Sequence, residues 1–389
     1  MSIRSSRPVL IDLFCGAGGL SEGLRQAGFD PRVGTDFDKH ALATYAANHR
    51  NTKTLLADVT SVSGDKLRKL AGYDDVDLLA GGPSCQGFST HGKRNKNDPR
   101  NFLFNEFVRL VGEVQPKFFL MENVKGLLTY SNGHFKNLIE EAFKRVGYRV
   151  KSVTLCAADY GVPQLRHRVT FLGSRLDDAD LSFPAPTHGE PGSGLLPYVT
   201  VEEAIGDLPR MNGEFQRIEW EYADEPSNAF QKYVRAFTEN SVTLHQANRL
   251  SEQASQIAKF VGQGEGLRAV PVEHLPKRFK KMRRISNGKL RRDCTTLYHR
   301  LAPKKPSYTI TCYYRNVASG PFMHPWEDRS LSHRESARLM SFPDSYVLKG
   351  ASYPRQIGNA VPPLMAAAIG RHIISKLQKD VVRHVAKAA

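Results

Sequence analysis

A cysteine in a glycine-rich stretch is the residue of this chain best suited to covalent chemistry. Cys85 lies within residues 81–87 (GGPSCQG), directly after the apolar segment 76–80, which predicts a buried strand of a parallel sheet. Ligands of open α/β sheets gather beyond the carboxyl ends of the strands, where a thiol could meet a substrate. Free cysteines are also among the most buried residues, so a structural role is the alternative for Cys85 taken alone.

A carboxylate and a polar strand face follow further along the chain. Residues 117–124 (KFFLMENV) predict another buried strand, and its carboxylate, Glu122, lies at the same sheet edge as the cysteine. Residues 164–173 (QLRHRVTFLG) alternate as a strand does, which places their polar side chains on one face. The polar side chains of that face are Gln164, Arg166 and Arg168. A solvated strand face is the alternative explanation for them.

Near the N-terminus, a strand, a glycine turn and a helix follow one another. Residues 9–14 predict the strand, residues 15–19 (CGAGG) the turn and residues 20–27 the helix, an order typical of nucleotide-binding folds. Ser21 stands where G-x-G-x-x-G requires its third glycine, which weakens a pyrophosphate-binding interpretation such as NAD. A ligand with an adenosine but no phosphates remains compatible, and so does a purely structural glycine turn.

Acidic residues at the next two strand ends suit such a ligand. Asp36 ends the predicted second strand roughly 20 residues beyond the glycines, where nucleotide-binding folds place an acceptor for a ribose hydroxyl. Asp58 ends the third strand, from where it could accept a hydrogen bond from an adenine amino group. The alternative role of Asp36 is to cap the helix predicted at 39–48, for which Asp38 is also well placed.

The composition indicates a polyanionic partner. The 389 residues include 55 Lys and Arg against 39 Asp and Glu, a formal net charge of +16, so nucleic acid is the first partner to consider. The five cysteines are far apart and form no zinc-binding spacing, which predicts free thiols and no metal site. With no secretory signal and no apolar run of membrane-spanning length, we expect a soluble cytoplasmic protein without a membrane partner.

A change of character near residue 181 predicts a domain boundary. The residues that follow are rich in proline and glycine, and periodicity is weak up to about residue 330. Between Lys277 and Arg292, nine of sixteen residues are basic and none is acidic, which favours contact with phosphates over a merely solvated arm. Helical periodicity returns from Ser332, and a long apolar helix is predicted at 364–377 before a short basic tail.

Seven stretches together resemble the ordered motif set of bacterial DNA (cytosine-5)-methyltransferases. They are DLFCGAGGL, GTDFD, GGPSCQGFS, MENVKGLL, QLRHR, RESARLMSFPD and QIGNAVPP. The resemblance implies an α/β fold with a mostly parallel, Rossmann-like sheet that binds S-adenosyl-L-methionine, and a smaller irregular target-recognition domain. It divides the chain into a catalytic and cofactor-binding domain (1–178), a target-recognition domain (179–329) and a C-terminal segment (330–389) that returns to the catalytic domain.

Carried over position by position, the resemblance also implies site residues. Cys85 is the nucleophile, Glu122 the partner of cytosine N3, and Arg166 and Arg168 hold the base and the catalytic pair. The implied cofactor contacts are Phe14, Gly16, Gly18, Asp36, Asp58 and Asn359. The predicted DNA contacts are Ser89, Arg94, Gln164, Thr309 and Arg315, of which Thr309 resembles the threonine beside the flipped base.

One departure from the family pattern concerns the loop of the nucleophile. The family usually has proline immediately before the cysteine, whereas this chain has Ser84 there and Pro83 one position earlier. We expect a less rigid loop with an unblocked thiol, and therefore an active enzyme.

The chemistry explains why these residue types are needed. Cytosine C5 is a poor nucleophile towards a sulfonium methyl group, and addition of a thiolate at C6 activates it. Electrons then move towards N3, where a partly protonated carboxyl such as Glu122 would stabilise the enamine. After methyl transfer a base removes the C5 proton and Cys85 is eliminated. Since C6 is shielded in a stacked duplex, the cytosine must be flipped out, with residues 86–100 as a closing lid or else an ordinary surface loop.

Two further functions stay open at this point. An RNA cytosine-5 methyltransferase would share these motifs, although the basic middle region favours duplex DNA. A catalytically silent DNA-binding protein would keep the fold, although Cys85, Glu122 and Arg168 are all present. We also expect a monomer acting at the nucleoid, with a cognate restriction endonuclease that acts separately.

Overall fold

A seven-stranded, mostly parallel sheet forms the centre of the molecule. The computed structural model describes residues 7–83, 103–129, 134–177, 179–281, 285–286, 289–290 and 294–388. The strands in these ranges are β1 Val9–Leu13, β2 Asp30–Asp36, β3 Lys53–Leu56, β4 Leu78–Gly81, β5 Phe118–Val124, β6 Arg149–Cys156, β7 Gln164–Leu165, β8 His167–Ser174, β9 His188–Gly189, β10 Leu196–Pro197, β11 Trp220–Glu221, β12 Ser241–Val242, β13 Ile285–Ser286, β14 Lys289–Leu290 and β15 Ser307–Tyr308. The α-helices are α1 Gly19–Ala27, α2 Lys39–Asn48, α3 Gly64–Ala71, α4 Leu103–Val114, α5 Gly126–Thr129, α6 His134–Arg145, α7 Val201–Ile205, α8 Ala229–Val234, α9 Glu252–Ala258, α10 Lys277–Lys281, α11 His333–Leu339, α12 Tyr353–Asn359 and α13 Pro363–Ala388.

The order of the strands brings the predicted site residues to one edge. The sheet runs β3-β2-β1-β4-β5-β8-β6, and its first five strands are parallel. Strand β8 is antiparallel to both of its neighbours, β5 and β6. The carboxyl ends of β1 to β5 therefore share one side of the sheet, which we call the carboxyl edge. This arrangement confirms the predicted α/β fold with a mostly parallel sheet.

Alternating strand residues build a core on each face of the sheet. Leu79 of β4 and Phe119 of β5 are fully buried in a cluster that also contains residues of α3, α4 and α6. Leu78 and Leu120, one position away on the same strands, belong to a second cluster with residues of α1 and α13. This two-sided burial explains why the parallel strands are continuous apolar runs.

The strand predicted over 164–173 is interrupted in the structure. Strand β7 pairs in parallel with β15, with Gln164 opposite Ser307, whereas β8 belongs to the central sheet. Arg166 stands between β7 and β8, and its backbone carbonyl accepts a hydrogen bond from Ala157 N at 2.8 Å. The predicted continuous strand is therefore two strands, because the chain changes its pairing partner at Arg166.

The predicted basic tail is helical instead. Helix α13 runs from Pro363 to Ala388, well past the predicted end at residue 377. Residues 378–388 contain neither glycine nor proline, so nothing in their backbone chemistry ends the helix. Among the residues with a described placement, no helix is both long and apolar enough to cross a membrane.

The middle of the chain packs against the C-terminal segment. One hydrophobic cluster joins residues of α7 and α8 to residues of α11 and α12. A buried ion cluster strengthens this contact, since Arg338 pairs with Asp207 and with Asp344, the latter at 2.7 Å. The predicted division at residues 178 and 329 stays a prediction, and this shared core crosses the second of those boundaries.

Candidate active site

The predicted nucleophile Cys85 and the predicted DNA contacts Ser89 and Arg94 lie outside the described residues. The structure does describe where their stretch leaves the sheet. Strand β4 ends with Gly81 opposite Met121 of the parallel strand β5, so the chain emerges at the carboxyl edge beside the end of β5. Asn123 Nδ2 donates a hydrogen bond to the carbonyl oxygen of Pro83 at 3.0 Å. This buried amide, which the sequence analysis missed, fixes the backbone two residues before Cys85.

Glu122 and Arg168 form an ion pair at this point. Strand β8 runs antiparallel to β5 with Arg168 opposite Val124, so the guanidinium lies two residues along from Glu122 on the neighbouring strand. Arg168 Nε is 2.9 Å from Glu122 Oε1, and both side chains are largely buried. A Cβ built on Gly82 would lie 3.5 Å from Glu122 Oε2, so the carboxylate borders the stretch that leads to Cys85.

The surroundings of Glu122 favour the protonated carboxyl more than water does. Burial raises its pKa above the ordinary value, and the charges of Arg168 and Arg166 oppose this shift. Burial also lowers the pKa of the Arg168 guanidinium. A carboxyl with a raised pKa beside a fixed cation is able to donate or share a proton with a ring nitrogen placed against it.

Arg166 is fully buried beside this pair, and its guanidinium points at backbone carbonyls. Nη1 donates to Ile310 O at 3.0 Å, and Nη2 donates to Gly358 O at 3.0 Å and Ala360 O at 2.9 Å. Burial lowers its pKa well below the ordinary value, and Arg168 adds to that shift. Arg166 thus ties β8 to the middle region and to the end of α12, while its predicted contact with the base stays a prediction.

The glycine turn after β1 combines left-handed backbone with open space. Phe14, Gly16 and Gly18 have φ angles of 55°, 52° and 90°. Gly16 N donates to Asp36 Oδ2 at 2.8 Å, so the predicted ribose acceptor also holds the turn. A Cβ built on Gly16 would meet no atom within 4 Å, which leaves room for a ligand against its backbone.

The helix-capping role considered for Asp36 belongs to Asp38. Asp38 Oδ1 accepts from His40 N at 2.9 Å and from Ala41 N at 3.3 Å at the start of α2. Asp36 Oδ1 instead accepts from Asp38 N at 2.8 Å. Burial raises the pKa of Asp36. Each of its oxygens keeps a second lone pair, so the carboxylate can still accept from a ribose hydroxyl.

The other predicted cofactor residues lie on the same side of the molecule. Asp58, exposed at the end of β3, accepts with Oδ1 from Thr60 N at 3.0 Å. Asn359, also exposed, ends α12, and the next residues pack so tightly on the turn that a Cβ on Gly19 would collide with Val361 O. Phe37, which the sequence analysis missed, is 74% exposed. Its position in the sequence, as an aromatic residue directly after the predicted ribose acceptor Asp36, could have indicated a role in ligand binding.

A methyl donor with an adenosine group fits these residues. The turn supplies an open backbone at Gly16 but no complete phosphate-binding glycine pattern. Asp36 supplies the ribose acceptor, and the exposed ring of Phe37 offers a surface for a base. The described residues contain no group of three or more His, Cys, Asp or Glu side chains that could hold a metal ion.

Of the predicted DNA contacts that are described, Thr309 is bonded to the residue before Arg166. Thr309 Oγ1 donates to Leu165 O at 3.0 Å, next to Arg166 in sequence. Gln164 is fully buried: its Nε2 donates to Leu339 O and its Oε1 accepts from Ile310 N, both at 2.9 Å. In this arrangement its side chain is out of reach of a duplex.

Arg315 is also occupied within the protein. Its Nη1 donates to Gln246 O at 3.0 Å and lies 2.9 Å from His333 Nε2, and its Nη2 bonds to Asn248. Burial lowers its pKa. The structure therefore places Thr309 against Leu165 of β7, and uses Arg315 to hold the loop that follows Thr309.

Known proteins match this chain over nearly its whole length. Residues 9–375 match the model of the C-5 cytosine-specific DNA methylase family. Type II methyltransferase M1.HphI of Haemophilus parahaemolyticus is 39% identical over 370 residues, covering 94% of this chain and 86% of the relative. Type II methyltransferase M.DdeI of Desulfomicrobium norvegicum is 37% identical over 383 residues, covering 94% of this chain and 88% of the relative.

A solved structure agrees with the fold as well. An E. coli prophage-encoded protein, described as a candidate DNA modification methyltransferase, is 26% identical with a TM-score of 0.73, covering 95% of this chain and 99% of its own. The fold and the site thus define an α/β methyltransferase of the type that uses S-adenosyl-L-methionine. More particularly, the chain belongs to the C-5 cytosine-specific DNA methylase family and is a DNA (cytosine-5)-methyltransferase.

Proposed function

We propose that this enzyme methylates C5 of a flipped-out cytosine within a specific duplex DNA sequence, through a transient bond between Cys85 Sγ and C6. The observation that carries the proposal is the buried pair of Glu122 and Arg168, 2.9 Å apart, beside the backbone that leads to Cys85. A thiolate that attacks C6 moves electrons towards N3, and a carboxyl group with a raised pKa is the group needed there.

Each residue has a defined task in this reaction. Glu122 shares its proton with N3 as Cys85 adds to C6, and Arg168 keeps the carboxyl in place. S-adenosyl-L-methionine supplies the electrophilic methyl group that C5 takes. Loss of the C5 proton to a base then returns electrons to the ring and expels the Cys85 thiolate. Arg166 supports these steps by fixing the end of β8 through its three carbonyl contacts.

The methyl donor binds at the glycine turn. The missing Cβ of Gly16 lets the backbone of the turn approach the ligand, Gly18 allows the left-handed backbone of the turn, and Asp36 accepts from the ribose. Phe37 covers one face of the adenine, and Asp58 accepts from the adenine amino group. Phe14 and Asn359 complete the site. The support is the open space at Gly16 and the exposure of Phe37, two features that a ligand-free role for this edge would not require.

The middle region reads the DNA. Thr309 lies beside the flipped base, while Gln164 and Arg315 act by holding the loop that follows Thr309. Ser89 and Arg94 contact the duplex from the stretch after Cys85. We further propose that the enzyme acts as a monomer at the nucleoid and protects its sites from a separate restriction endonuclease. The support for that partner is the type II designation of the relatives.

A trapping experiment tests the proposal. The enzyme is incubated with S-adenosyl-L-methionine and genomic-sequence duplexes in which cytosine is replaced by 5-fluorocytosine, and the attached peptide is mapped by mass spectrometry. Fluorine at C5 prevents the final elimination, so a covalent complex on Cys85 is expected. The Cys85→Ser variant should bind the same DNA without forming the complex.

The alternatives give different results in the same experiment. A complex with 5-fluorocytosine RNA in place of DNA would identify an RNA enzyme. Absence of any complex, with DNA binding retained, would leave a silent DNA-binding protein. A complex on another cysteine would remove Cys85 from its role.

A further inference from the structure

A tyrosine from the C-terminal segment contacts the back of the glycine turn. Tyr346, only 5% exposed, donates its hydroxyl hydrogen to the carbonyl oxygen of Ala17 at 2.6 Å. The same hydroxyl lies 3.3 Å from His49 Nε2. A Cβ built on Gly18 would lie 2.6 Å from the tyrosine oxygen, so the side chain sits directly against the turn. The mechanism above gives this hydroxyl no task.

His49 completes this contact as a neutral donor. Burial lowers the pKa of His49 to about 4, so the ring is uncharged at neutral pH. Since the tyrosine hydrogen is given to Ala17, a hydrogen bond between His49 Nε2 and the tyrosine oxygen requires the ring hydrogen to lie on Nε2. The rings of His49 and Tyr45 also pack together with centroids 4.4 Å apart. The hydroxyl is thus held from two sides.

The segment that carries Tyr346 is firmly attached to α2. Asn48 Nδ2 donates to Val347 O at 2.8 Å, and Val347 N donates to Asn48 Oδ1 at 2.9 Å. One turn earlier, Thr44 Oγ1 accepts from Lys349 N at 2.8 Å. These bonds anchor the residues that follow Tyr346 to the helix that begins just after Asp36.

The turn is therefore restrained by side chains at two of its peptides. Asp36 accepts from Gly16 N on the ligand side, and Tyr346 donates to Ala17 O on the opposite side. Within the turn, Gly18 N donates to Cys15 O at 2.9 Å, while the three glycines among residues 15–19 leave the backbone otherwise free to change its conformation. A ligand that binds to a loose turn must first order it, and this cost lowers its affinity.

We propose that Tyr346 is a positioning residue of the methyl-donor site: its hydroxyl fixes the Ala17 peptide and thereby holds the glycine turn in the shape that binds S-adenosyl-L-methionine. This inference rests on the proposed binding of the methyl donor at the turn. The C-terminal segment, distant in sequence, thus completes a site otherwise built from the first strands of the chain.

The test compares two tyrosines that make the same bond. Tyr148 is 2% exposed, and its hydroxyl donates to Pro116 O at 2.6 Å, remote from the glycine turn. Tyr346→Phe and Tyr148→Phe each remove one buried hydroxyl bonded to a backbone carbonyl. Binding of S-adenosyl-L-homocysteine and S-adenosyl-L-methionine is measured by calorimetry, and the thermal midpoint of each variant is recorded.

We expect both variants to lose a similar amount of thermal stability and only Tyr346→Phe to bind the ligands more weakly. Loss of a buried neutral hydrogen bond predicts a Kd increase of roughly threefold to tenfold. In turnover assays the KM for S-adenosyl-L-methionine should rise, whereas kcat at saturating ligand should change by less than about twofold. Should Tyr346→Phe fail to fold, Asn48→Ala, which frees Val347, is expected to shift Kd in the same direction.

Three results would overturn the inference. Unchanged affinity in a folded Tyr346→Phe protein would make the tyrosine purely structural. Equal weakening in both tyrosine variants would indicate general loosening rather than positioning. Failure of the unmodified enzyme to bind either ligand would instead refute the proposed donor site itself, and the role of Tyr346 with it.

Discussion

Glu122 illustrates how a single residue obtains its chemistry from its neighbours. Its position on a strand can be predicted from the sequence, but its raised pKa comes from burial, which outweighs the opposing charges of Arg168 and Arg166. Replacing it with glutamine keeps the size of the side chain and removes the titratable carboxyl proton.

We therefore expect Glu122→Gln to lower the single-turnover methylation rate by about 100-fold or more, as loss of a general acid does, with little change in DNA affinity. Glu113→Gln is the matched control, because Glu113 also pairs with an arginine, Arg109 at 2.7 Å, but on the surface of α4. The control should retain the normal rate. A near-normal rate for Glu122→Gln would exclude the proton-sharing role.

A second buried acid, Asp12 on β1, predicts a pH effect on stability. Its Oδ2 accepts from Ser21 Oγ at 2.6 Å, and its Oδ1 has no hydrogen-bond partner among the described residues. Burial raises its pKa to about 7. The folded protein thus binds this proton more tightly than the unfolded chain does. The contribution of Asp12 to stability is therefore greatest below about pH 4 and is lost as the pH rises to about 7.

As pH rises to about 7, the free energy of unfolding falls by at most about 4 kcal/mol because of Asp12. Denaturant midpoints measured between pH 5 and pH 8 should decline less steeply for Asp12→Asn than for the unmodified protein. Some slope will remain, because burial also raises the pKa of Asp36 and Glu122. Identical slopes in the two proteins would contradict the buried, protonated state of Asp12.

At the scale of elements, the contact between helices α1 and α13 positions the glycine turn, which leads directly into α1. Gly23 of α1 lies against the first turn of α13, where an added Cβ would collide with Pro363 O and lie 2.5 Å from Ala366 Cβ. Replacing glycine with alanine stabilises a helix by about 1 kcal/mol through helix propensity. At Gly23, however, the new Cβ would press on the backbone of α13, which cannot move aside as a flexible side chain does.

Gly23→Ala should therefore lower the free energy of unfolding by roughly 2 kcal/mol, typical of overpacking. Gly112→Ala in α4 is the control, since its new Cβ would meet the side chain of Val146, with Cγ1 at 3.2 Å and Cβ at 3.4 Å, and no backbone. The free energy of unfolding of that variant should remain within about 1 kcal/mol of that of the original protein. Chemical denaturation of both variants checks this, and equal stabilities would mean that the two helices are not in close contact.

For the whole molecule, the net charge of +16 predicts how DNA binding responds to salt. An enzyme that contacts six or more phosphates should lose about a thousandfold in affinity between 50 and 200 mM salt. Fluorescence anisotropy with a labelled duplex measures the DNA affinity at each salt concentration. The affinity for S-adenosyl-L-homocysteine, measured by calorimetry, provides the comparison and is expected to change far less. A weak salt dependence for DNA would show that the excess charge lies away from the duplex.

The sequence by itself determined much of the α/β part of the molecule. Helix α2 begins and ends where it was predicted, because Asp38 supplies a local cap and the residues that follow favour a helix. The short motifs identified the family, now confirmed, and the apolar run over residues 117–124 placed Glu122 near the end of a strand. Such features depend on residues close together in the chain, so a local pattern is sufficient to reveal them.

Only the tertiary structure decided how the side chains are used. Arg166 and Gln164 are turned inward to hold Ile310 rather than lying on an open strand face, because the chain changes strand partner between them and β8. Tyr346 reaches the glycine turn across 329 positions of sequence. Contacts of this kind arise when buried polar groups must find hydrogen-bond partners wherever packing brings them, and no local periodicity encodes that choice.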